Sequence, residues 1–249
     1  MTKRAKVTKS DIALAINSIV DVANSGYTDY ASKIERLNVD ENVLSVILKD
    51  GMLFSDAIPN NWYRDRVISA LLSKNPTLGS EILSERVEAA KNPEEGAKSS
   101  YCEADYNIIT MILRSGYYSD ISVLDDAALY LEGDPQRFAV EFCSVSALRK
   151  LTTVKDSKVR RIVYQRLGPV ECLDEMITDK IKDIRYDGVS RAPLGYPKLD
   201  SMIKEIARDV FNVLVQKIDI GTLPMLLANR NIKNNWIASR VESRLNSGK

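Results

Sequence analysis

Residues 158–176, KVRRIVYQRLGPVECLDEM, decide how the rest of the chain is read. Val163 and Leu167 stand four apart, on one face of a helix. Gly168-Pro169 then interrupts the helix, and Val170, Leu173 and Met176 follow at i, i+3 and i+6. Shifted back by 25, the same grammar recurs, with Phe138 and Phe142 ahead of Val145, Leu148 and Leu151. A shift of 26 carries Val163, Val170, Leu173 and Met176 onto Val189, Tyr196, Leu199 and Met202, and Asp174 onto Asp200. Lys182-Asp183-Ile184 recurs as Arg208-Asp209-Val210 and, loosely, as Asn234-Asn235-Trp236.

A longer echo fixes the register. Asn60-Asn61-Trp62, with Arg66-Val67, Ser69, Leu71 and Ser73, returns at a constant offset of 174 as Asn234-Asn235-Trp236, with Arg240-Val241, Ser243, Leu245 and Ser247. Seven periods of about 25 residues fill that interval, so units should begin near 62, 87, 112, 136, 159, 184, 210 and 236. Residues 86–105 are polar and broken by Asn92-Pro93 and Gly96, which predicts an extended loop in place of part of one unit. Each unit holds two short helices, or a helix and a 3₁₀ segment, and neither buries its apolar face without a neighbour. The expected fold is all-α. It is an α-solenoid over 59–249, with a helical cap over 11–58 and a flexible basic tail over 1–10. An ordinary helical bundle with evenly spaced helices is the alternative.

The period and the unit pattern resemble leucine-rich-repeat variants and short HEAT-like helical repeats, well over 130–249 and weakly over 60–130. The LxxLxLxxN strand signature of ordinary leucine-rich repeats is missing. The resemblance implies a curved right-handed superhelix that binds macromolecules, without naming the ligand.

Composition narrows the function. The 249 residues include no histidine, which removes the commonest general base near neutral pH and the commonest metal ligand. GxxxxGK[ST], GxGxxG and GxSxG are absent. Cys102, Cys143 and Cys172 stand far apart without a CxxC pair, and Cys143 and Cys172 read as buried free thiols. No catalytic residue, metal or cofactor is expected. No segment is apolar for long enough to span a bilayer and no secretory h-region follows MTKRAKVTKSD, so a cytoplasmic protein is expected. The missing histidine and the Asn-, Ile-, Lys- and Ser-heavy usage have the look of an AT-rich-genome product such as a bacteriophage protein.

Net charge is +1, with −4 over residues 1–125 and +5 over 126–249. Arg166, Arg191 and Lys217 share one repeat position in three successive units, and Arg244 lies one residue off that register. Arg160 and Arg185 form a second row. Such a stripe could follow a phosphate backbone or an acidic protein surface, or could simply solvate an outer face. Asp174 and Asp200 could pair with some of these cations, while Tyr164, Tyr186 and Tyr196 offer thin aromatic interleaving. Trp62 and Trp236 occupy equivalent unit positions, either packed against a cap or, for Trp236, anchoring a partner. The expected function is a non-enzymatic scaffold whose partner is a protein. A nucleic-acid-binding solenoid is the alternative. HEAT-like repeats also build glycosylases for alkylated DNA bases, and under that resemblance Asp183 and Asp209 near Trp236 would be the carboxylates.

Overall fold

The computed structural model describes residues 6–25, 27–50, 52, 62–92, 103–202, 205, 207–228 and 235–247. Among the described residues the fold is all-α, with no strand. The chain divides into two compact units, Met1–Ala147 and Leu148–Lys249.

The first unit contains α1 (Lys9–Asn24), α2 (Tyr27–Arg36), α3 (Glu41–Lys49), α4 (Trp62–Lys74), α5 (Pro76–Lys91), α6 (Glu103–Ser115), α7 (Val123–Tyr130) and α8 (Gly133–Val140). Helix α1 starts in a capping box: Asp11 N–H donates to Thr8 Oγ1, and the Asp11 carboxylate accepts from Thr8 N–H. The basic tail expected over 1–10 therefore reaches no further than residue 7, and residues 1–5 lie outside the described ones. Helix α1 packs on α3 and α4, α5 on α7, and α7 and α6 on α8. Ile19, Leu44, Ile47, Leu48, Ile68 and Leu72 are wholly buried among them. Helix ends here are closed by cations from elsewhere in the fold. Lys74 Nζ donates to the carbonyls of Ile34, Glu35 and Leu37 at the end of α2, and Arg86 Nη2 to that of Lys49 at the end of α3.

Helix occupies both ends of the stretch expected as a loop over 86–105. Helix α5 runs on to Lys91 and α6 begins at Glu103, leaving 93–102 outside the described residues. RVEAAK is rich in good helix formers, and the break falls at Asn92-Pro93, where proline disfavours helix at the residue before it.

Helix α9 (Val145–Lys150) crosses from the first unit into the second. The second unit continues with α10 (Ser157–Leu167), α11 (Leu173–Ile177), α12 (Lys182–Arg191), a 3₁₀ segment (Pro197–Met202), α13 (Arg208–Lys217), a 3₁₀ turn (Ile220–Thr222), α14 (Leu223–Ala228) and α15 (Asn235–Ser247). Longer and shorter elements alternate. Helix α11 packs on α12, α12 on α13, and α13 and α14 on α15. One core of Leu173, Ile177, Val189, Leu199, Phe211, Leu214, Leu226 and Val241 runs from α11 to α15. Gly188 permits the closest of these contacts. A Cβ there would lie 2.9 Å from Ile177 N and from Met176 C, so α11 and α12 meet backbone to backbone.

Six of the eight expected unit starts (62, 136, 159, 184, 210 and 236) lie within about three residues of a helix start. The other two do not, since 87 falls inside α5 and 112 near the end of α6.

Candidate interaction surface

The second unit repeats one polar construction. Arg160, on α10, donates from Nε and Nη2 to the Asp179 carboxylate (2.6 and 2.8 Å), and from Nη1 to the carbonyls of Val154 and Lys155. Arg185, at the same repeat position on α12, donates to Glu205 (2.6 and 3.3 Å) and from Nη1 to the carbonyls of Asp179 and Lys180. Each acid also accepts the N–H two residues ahead: Ile181 N–H on Asp179, Ala207 N–H on Glu205. Every group in the second set is its counterpart in the first moved on by one repeat offset, 25 or 26 in sequence. The arginine closes the loop before its own helix and clamps the loop beyond the short element that follows.

These are internal groups. Side-chain exposure is 8% for Arg160 and 2% for Asp179, and Arg185 and Glu205 are mostly covered. Tyr164 completes the first set, its hydroxyl donating to the Thr152 carbonyl and to Asp179. Burial alone would raise the Asp179 carboxyl, but the hydrogen bonds from Arg160 and from Ile181 N–H outweigh it and hold it below the usual carboxylate range. The Tyr164 phenol moves up, through burial and then the adjacent Asp179 charge. The sequence reading of Arg160 and Arg185 as partner-binding cations is therefore corrected. Each instead ties the loop before its helix to an acid beyond the following short element.

The row of Arg166, Arg191, Lys217 and Arg244 divides. Lys217 Nζ donates to the Ala192 carbonyl (3.0 Å) at the end of α12, and Arg244 Nη2 to the Ile218 carbonyl (2.7 Å) at the end of α13. Each cation closes the C-terminus of the preceding first helix, one repeat back, where helix carbonyls lack intrahelical partners. Burial shifts the Arg244 guanidinium downward. Lys217 and Arg244, named as partner-binding candidates, are half-buried, and each closes a helix end with one donor. Arg166 and Arg191, near the ends of α10 and α12, are exposed. Asp174 is exposed and accepts from the Tyr196 hydroxyl (3.0 Å), and Asp200 is exposed. Asp183 and Asp209 stand in exposed ion pairs with Arg161 and Lys182, not in a groove. Trp236 lies on α15, but its side chain, those of Trp62 and Tyr63, and Cys102 lie outside the described residues.

Exposed apolar residues recur beside these charges. The i, i+3, i+6 trios bury only their second and third members: Leu173 and Met176, Leu199 and Met202, Leu223 and Leu226. The first members face solvent, Val170 at 90% and Ile220 at 45% exposure. In the unit between them Tyr196 is half-buried and Leu194, two residues before it, is 71% exposed. These residues occupy the turn between the first and second element of each unit. Gly168 (φ 86, ψ 153) shapes the first of these turns, in a region that only glycine enters freely. Neighbouring turns are joined directly: Tyr196 reaches Asp174 of α11, and Gly195 N–H donates to the Lys217 carbonyl (2.7 Å), three residues before Ile220. In the first unit the same trio position holds Ile121 and Val145, both exposed. Period and trio were visible in the sequence, and the exposed member stands just before the second helix or, for Val145, at its first residue.

Two concave features flank this surface. One of about 410 Å³ is lined by Thr152, Lys155, Arg160, Tyr164, Glu175 and Asp179, but its arginine is already saturated. The other, of about 190 Å³, lies between Arg161, Gln165, Pro169, Asp187 and Arg191. Among the described residues no group of His, Cys, Asp or Glu is placed to hold a metal ion. Cys143 and Cys172 are buried free thiols, and burial beside Glu175 and Glu171 pushes Cys172 up to about 11. No helix of the described residues is long and apolar enough to cross a membrane. No family model, curated protein or solved structure gives a significant match to this chain.

Proposed function

We propose that the chain is a non-enzymatic α-solenoid of short helical repeats, capped by its N-terminal helices, whose function is to bind a partner protein. The observation that carries this reading is the recurrence of exposed aliphatic residues, Val170, Leu194 and Ile220, in successive turns of the second unit. Exposed apolar side chains that recur at one place in successive turns are the feature by which such a partner would be read. The unit-to-unit staples and the cation-closed helix ends supply the stacking that a resemblance to HEAT-like repeats requires. They also weaken the nucleic-acid alternative, because Arg160 and Arg185 spend most of their donors on carboxylates and carbonyls inside the fold, and Lys217 and Arg244 each give one to a helix-end carbonyl. No cofactor is part of the reading.

The experiment pairs two measurements on the full chain. Photo-cross-linking from position 191 in extract of the source cells, with mass spectrometry, is expected to recover a defined protein. Anisotropy with single-stranded RNA and duplex DNA at about 50 mM salt is expected to show no steep salt dependence. Nucleic-acid binding that falls steeply with salt and vanishes in the Arg166/Arg191/Lys217 triple alanine variant, with no protein cross-linked, overturns the proposal.

A further inference from the structure

We draw no further inference here: the strongest candidate, the groove of about 380 Å³ between the first half of α1 and the start of α3, has its carboxylates Asp11 and Asp40 committed to capping those two helices, and nothing in the structure shows what covers its apolar remainder.

Discussion

Asp179→Ala is the sharpest probe of what holds the second unit together. The carboxylate accepts two hydrogen bonds from Arg160 (2.6 and 2.8 Å), one from Tyr164 (3.3 Å) and one from Ile181 N–H (2.7 Å). Removing it leaves Arg160 with its two carbonyl acceptors, but with Nε and Nη2 unpaired at a site only 8% exposed. Breaking a buried pair by deleting one member costs about 3–5 kcal/mol, a large part of the roughly 5–15 kcal/mol that holds a domain folded. With a urea slope of about 2 kcal/mol per molar, the midpoint should fall by roughly 1.5–2.5 M. Pulsed hydrogen exchange across a urea series, read on peptides from 157–191, reports this unit separately. Glu205→Ala, which exposes a less buried arginine, should lose about 2–3 kcal/mol. Asp183→Ala, from an exposed pair, should lose nothing measurable. The acid limb is also specified. Asp179 titrates lower folded than unfolded. Its contribution is therefore complete above the unfolded carboxyl pKa of about 3.9 and is lost as pH falls through the lower folded value. Asp179→Asn should flatten that limb. A loss in Asp179→Ala no greater than in Asp183→Ala would refute the assignment of the staple.

Three further outcomes follow from the same geometry. Gly188→Ala places a methyl against the backbone of Met176 and Ile177 and should destabilise the second unit by about 1–3 kcal/mol in the same exchange assay. Lys217→Ala and Arg244→Ala, which uncover helix-end carbonyls, should each lower the midpoint by the equivalent of about 0.5–1.5 kcal/mol, whereas Arg191→Ala should not. Cys143 and Cys172 should resist a disulfide reagent at pH 7.5 in the native chain and react at once in denaturant, since both are buried and Cys172 is pushed up to about 11.

The helices were legible because their apolar residues recur at helical spacing, and six of the eight positions set by the offsets lie near helix starts. What the offsets concealed was direction. Arg160, Arg185 and Lys217 repeat as regularly as surface residues would, but an arginine six residues after a loop carbonyl can turn back to it, and linear spacing does not say whether it does. The apolar trios misled in the opposite sense. Val170 reads as core because Leu173 and Met176 are core, yet it precedes the helix and points away from the stack. Position 87 failed because RVEAAK continues α5 in place of opening a unit. Each staple joins an arginine to an acid beyond the next short helix, Arg160 to Asp179 and Arg185 to Glu205, and pattern reading by helical period does not look that far.

The staple also bears on how long such a chain can be. Arg185 closes on the carbonyls of residues 179 and 180 as Arg160 does on those of 154 and 155. Excising residues 155–179 would splice Val154 to Lys180 and present Arg185 with the same two carbonyls at the same distance along the chain, while Glu205 still waits beyond its helix. Duplicating that segment would likewise create a further arginine already matched to its acid. Units of this kind can be added or dropped in whole numbers without new chemistry at the seams. The number of such staples is open to change by recombination alone.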